Sequence, residues 1–110
     1  MPILYANYSK LDHEEIALSI GIKPKYIPML IASFIDESKQ ILDLLKESIE
    51  SKNYDNIRSC AHSIKGSAGN IKFNEIYEMA REMEIAAKEE NSDFEYMKYL
   101  DAIKNIIKTI

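Results

Sequence analysis

Glycine and proline are scarce, three of each in 110 residues, which leaves little material for the tight turns that β-hairpins require. A single cysteine, Cys60, excludes an internal disulfide. The net charge of -4 argues against a nucleic-acid binder and no basic stripe stands out in the sequence, so no nucleic-acid partner is expected. No apolar run approaches the roughly 18 to 20 residues of a bilayer span, and the first thirty residues lack the basic start and continuous apolar stretch of a signal peptide. No membrane partner and a cytoplasmic location are therefore expected. No His, Cys and carboxylate cluster stands at metal-ligand spacing, so no metal is expected either. The chain is also too short to add a nucleotide-binding catalytic domain to a single core, which argues against an enzyme with its own ATP site.

What is abundant is Ile, Leu, Lys, Glu, Ala and Met, a helix-forming composition. Residues 1–10 show no period and are expected to form an N-terminal arm, with residues 11–110 as one helical domain. Asp12 with Glu15 has capping-box spacing and Gly21 is a stop, which predicts a short helix over Asp12–Ile20. Pro24 and Pro28 suit the opening of a second helix, whose Ile27, Leu30, Ile31, Phe34, Ile35, Ile41, Leu42, Leu45 and Ile49 recur every three or four residues. Asn53 caps a third helix with Ile57, Cys60, Ala61, Ile64 and Ala68 inside. A fourth runs from Asn74 to about Glu90, burying Ile76, Met79, Ala80, Met83 and Ala87. Ser92 with Glu95 predicts the start of a fifth, with Met97, Leu100, Ile103, Ile107 and Ile110 on its inner face. Short connections force antiparallel neighbours, so the expected fold is all-α: an up-down-up-down four-helix bundle with an additional short N-terminal helix.

Gly66-Ser67-Ala68-Gly69-Asn70 reads locally as a loop, but the helical wheel argues otherwise. At about 100° per residue, Ile57, Cys60, Ala61, Ile64, Ala68 and Ile71 share one arc, while His62, Lys65, Gly66 and Gly69 share the opposite one. A helix reaching Gly69 keeps its core face apolar and sets an imidazole in a notch of small residues, with Gly69 or Asn70 ending it. Gly66 inside a helix costs about 1 kcal/mol relative to alanine, and close approach by another molecule is the compensation that suggests itself. An imidazole in water titrates near about 6.5, so one ring nitrogen offers a lone pair at neutral pH with no base built beside it. Lys65 would neutralise part of the charge of a phosphoryl group on His62, and Arg58 and Lys72 would extend that positive rim.

The run Ala61 to Asn70, A-H-S-I-K-G-S-A-G-N, resembles the phosphorylation-site helix of histidine-containing phosphotransfer domains, which often read A-H-x-L-K-G-x-A-G. The resemblance implies a four-helix bundle whose histidine takes a phosphoryl group from a receiver-domain aspartate of a response regulator, or from a sensor histidine kinase, and passes it to another receiver. It makes His62 the phospho-acceptor, Lys65 the phosphate-stabilising cation, and Gly66 and Gly69 the clearance for the partner's active site. It implies no cofactor in this chain, the magnesium being the receiver's. Lys72 departs from the pattern, since many members have glycine there. The Met1 start and the lack of a long linker lead to the expectation of a free-standing protein, and a monomer is expected. The competing readings are a helical adaptor that docks receivers without being phosphorylated, and the phospho-acceptor domain of a larger kinase.

Overall fold

Asp12 opens the first helix by accepting, through its side chain, the backbone N–H groups of Glu14 and Glu15; α1, His13–Ile20, follows and ends on Gly21 at φ 76°. The computed structural model describes residues 4–110, and all of its regular elements are helical. A 3-10 turn, Pro24–Tyr26, leads into α2, Ile27–Glu50, with Pro28 in the first turn where no intrahelical N–H is needed. Asn53 caps α3, Tyr54–Asn70, by accepting the N–H of Asn56. Two more helices complete the chain, α4 over Asn74–Lys88 and α5 over Tyr96–Ile107. Among the described residues no single helix is long and apolar enough to cross a membrane.

Helix α3 packs most extensively on α4, α2 lies against α3, and α5 touches both α2 and α4, so the four long helices enclose one core. Ile57, Ala61, Ile64 and Ala68 of α3 meet Ile76, Met79, Ala80 and Met83 of α4 there, with Leu100 and Ile103 of α5. Helix α1 buries only Ile16 and Ala17 and rests on the 3-10 turn and α2. Of the expected arm, residues 1–3 lie outside the described residues. Leu4, Ala6 and Tyr8 pack against the core. Tyr8 stacks on Phe73 at 4.7 Å, donates its hydroxyl to Glu75 at 2.6 Å and its N–H to Thr109 Oγ1 at 2.7 Å.

Three details differ from the sequence expectation. Helix α3 ends at Asn70, one of the two ends expected for it, but rather than Gly69 or Asn70 the left-handed residue that closes it is Lys72, at φ 63°. Its N–H bonds Gly69 O while that of Phe73 reaches back to Ala68 O, the paired bonds of a Schellman ending. Helix α5 starts at Tyr96, three residues later than a Ser92 cap would give. Asn91 Oδ1 instead accepts the Asp93 N–H, and Phe94 packs on the Tyr96 and Tyr99 rings. The α5 face is also turned: Tyr96, Tyr99 and Ile106 are buried, whereas Met97 and Ile107 are half-buried.

The left-handed lysine carries a stability prediction. A side chain with a Cβ is strained at positive φ where glycine is not, so Lys72→Gly should stabilise the fold by roughly 0.5–1 kcal/mol. Thermal melts of the two proteins check this, and an unchanged or lower midpoint counts against it.

Candidate functional site

Helix α3 presents two unlike sides because its apolar residues recur at helical spacing. Ile57, Cys60, Ala61, Ile64 and Ala68 are all buried. The Cys60 thiol is pushed up by burial, which suits a packing role rather than a nucleophile. On the outer side the His62 side chain is 68% exposed, open to a macromolecular partner.

The imidazole is not unsupported. Its Nδ1 lies 2.7 Å from Glu84 Oε2, and the other carboxylate oxygen, Oε1, lies 2.6 Å from Lys65 Nζ. Glu84 projects from α4, and its side chain is 20% exposed. Burial pushes its carboxyl up, but the hydrogen bonds and charges of Lys65 and His62 outweigh that and hold it below the usual carboxylate value. An ionised carboxylate can only accept, so Nδ1 carries the hydrogen and donates it. The lone pair of neutral His62 is then on Nε2, which no group among the described residues hydrogen-bonds. Nothing in the sequence pointed to this carboxylate, which engages Nδ1 and leaves Nε2 free.

His62 stands on a ridge between two hollows. On the α4 side it shares one with Arg58, Ser59, Ile85 and Lys88. On the α2 side it shares another with Glu37, Gln40, Gly66, Ser67 and Asn70, and that groove continues to Leu30 and Ser33. Arg58 thus lines the same hollow as His62. Lys72 does not: it lines a separate hollow with Glu15, Ser19 and Asn74 on the far side of the α3–α4 turn. Lys88, rather than Lys72, shares the hollow beside His62. Among the described residues no group of three or more His, Cys, Asp or Glu could hold a metal ion.

The two glycines differ. A Cβ on Gly66 would meet nothing within 4 Å, so nothing inside the protein requires glycine there. A Cβ on Gly69 would lie 3.2 Å from Cδ2 of the Tyr77 ring on α4. Gly69 therefore has a packing reason within the fold, the close approach of α3 to α4, and it is not a helix cap. Sequence reasoning missed Glu84 and Lys88, both on α4.

The family model of the Hpt domain matches residues 29–109, most of the chain and all of α3, α4 and α5. No curated protein and no solved structure gives a significant match.

Proposed function

The chain belongs to the Hpt domain family, whose members carry phosphoryl groups on histidine in two-component phosphorelays, and on that premise we propose that His62 is its phosphoryl acceptor. The observation that carries this is the ring itself: exposed, tied at Nδ1 to Glu84, and open at Nε2. Nε2 attacks the phosphorus of a receiver's aspartyl phosphate. The P–O bond to the aspartate breaks, and its electron pair stays on the carboxylate. Transfer to a second receiver reverses these steps. The chain acts as a carrier in a relay rather than as an enzyme with its own ATP site.

Lys65 is held 2.6 Å from Glu84 in the unphosphorylated protein, one turn from His62. Swinging its ammonium onto a phosphoryl oxygen would offset part of the new charge, as Arg58 and Lys88 do from the rim. The magnesium belongs to the receiver's acidic pocket. Gly66 leaves the α2 side of the ridge low enough for that pocket to reach Nε2.

The docking surface would extend along this groove to the N-terminal tip. Leu18, Ile22, Tyr26 and Met29 are exposed there, and residues 16–35 hold two lysines and no acidic residue, which suits an apolar surface with an acidic rim. The ring of contacts among α2, α3, α4 and α5, with short links, supports the up-down-up-down order within a domain of residues 11–110. A cytoplasmic monomer fits this role.

The test is to mix the protein with a receiver domain charged on its aspartate and follow the label. Acid-labile phosphate should appear on this chain and leave it when a second receiver is added. No uptake from any receiver or histidine kinase of its organism would reject the reading in favour of a docking adaptor.

A further inference from the structure

Resting on His62 as acceptor, we propose that Glu84 keeps the proton on Nδ1 of phosphorylated His62, so that the phosphoryl group stays transferable at and above neutral pH. Glu84 acts through the imidazole and is a positioning residue.

The chemistry turns on what leaves. When an acceptor carboxylate oxygen forms its bond to phosphorus, the N–P bond breaks and its electron pair returns to Nε2. With Nδ1 protonated, the leaving group is neutral imidazole. Without that proton it is imidazolate, a far stronger base and a poor leaving group. The proton does not enter or leave during transfer; it only has to be present. A phosphorylated imidazole with a bare Nδ1 would be a store rather than a carrier.

The charged groups around the ring are Arg58 and Lys65 on α3, Glu84 and Lys88 on α4, and Glu37 on α2. Three are cations, and each favours loss of a proton from the imidazolium. Glu84 opposes them at hydrogen-bond contact, 2.7 Å from Nδ1, where Coulomb attraction is strongest. In the unphosphorylated protein Lys65 holds the second carboxylate oxygen at 2.6 Å, so the first already faces Nδ1 before the phosphoryl group arrives and draws the ammonium away. The net downward pull of Lys65 and His62 on the Glu84 carboxyl keeps it ionised over the range in which imidazoles titrate. The phosphoryl group bonds to Nε2, on the opposite edge of the ring, so it does not displace this contact.

The test charges the full chain from a receiver domain phosphorylated with acetyl phosphate, then chases it with a second receiver from about pH 6 to about pH 8.5, a span that brackets imidazole titration. Wild-type transfer should vary little across it. Glu84→Gln keeps an acceptor oxygen for Nδ1–H but loses the charge. It should match wild type at the acid end and fall by up to about tenfold per pH unit at the alkaline end, as a step needing one bound proton does. Its phosphohistidine should outlive the wild-type form there. Parallel profiles would overturn the proposal and leave the role of His62 standing, whereas failure of wild type to take up any phosphoryl group would overturn both. If Glu84→Gln does not fold, nitrogen-15 spectra of phosphorylated wild type decide: a protonated Nδ1 near about pH 8 is expected, and a bare Nδ1 there sinks the idea.

Discussion

Replacing His62 with glutamine should remove all transfer of phosphoryl groups to this chain while leaving its melting temperature almost where it was. The amide nitrogen of glutamine has its lone pair delocalised into the carbonyl, so nothing at that position can attack phosphorus. The fold loses little, because the side chain is 68% exposed and buries no core contact. Glu84 keeps Lys65 as a partner at 2.6 Å, so no carboxylate is stranded. A surface change of this kind falls within about 0.5 kcal/mol of neutral. Transfer from a charged receiver and a thermal melt on the same samples check both halves. Residual acid-labile phosphate on the variant would mean that another residue accepts, and a large drop in midpoint would mean that the His62–Glu84 contact holds the bundle together.

The two halves of this site were unequally visible in the sequence. His62, Lys65 and Gly66 lie on one helix, and a 3.6-residue period places them on the side away from Ile57, Ala61, Ile64 and Ala68 without reference to any other element. Glu84 lies 22 residues further on and reaches His62 only because α3 and α4 form a hairpin with a definite register. That register is visible once a single contact is known. Gly69 faces Tyr77 near the turn, and His62 faces Glu84 seven residues further out on each helix, two turns away. Glu84 also adjoins Met83 at the edge of the α4 core stripe, a place where a charged residue tends to look across at a neighbouring helix. Without the turn fixed, neither observation selects it from the other acidic residues of α4.

Helix stops were legible only in part, for a related reason: Ser51 and the Asn53 cap mark the turn between α2 and α3, but the left-handed closing residues do not announce themselves. Gly21 is the one glycine at positive φ, and it ends α1 where a glycine signal places it. The ends of α2, α3 and α4 put Lys52, Lys72 and Glu90 in the left-handed conformation, residues that carry no stop signal. The scarcity of glycine that marks the chain as helical thus also removes its punctuation. The burial of α5 was misjudged through its tyrosines. Tyr96 and Tyr99 bury their rings and satisfy their hydroxyls at the edge, on Asn91 O and Glu82 Oε2, so a hydropathy pattern passes over them in favour of Met97 and Ile107. Ser38 and Ser48 likewise occupy buried positions in the α2 stripe, Ser48 donating to Leu44 O within its own helix.

Gly66→Leu should do the reverse of what a mid-helix substitution at a packed glycine does: raise stability and block transfer. Glycine within a helix costs about 1 kcal/mol relative to a good helix former, and a Cβ at this position meets nothing within 4 Å, so the fold gains roughly 0.5–1 kcal/mol. A helical side chain leans back over the preceding turn, which here carries His62 and Ser63. Leucine would therefore cover the approach to Nε2 from the α2 side, where a receiver has to bring its aspartyl phosphate into line. Displacing reacting atoms by about 1 Å costs on the order of a hundredfold in rate, and a branched side chain in that path displaces them by more. Transfer from a charged receiver should fall at least that far. Phosphoramidate, a donor too small to touch the new side chain, should still label His62 in the variant, which separates lost access from a damaged imidazole. Unimpaired transfer from the receiver would show that partners approach His62 over the Arg58 and Lys88 rim instead, and that Gly66 is a helix defect without a docking role.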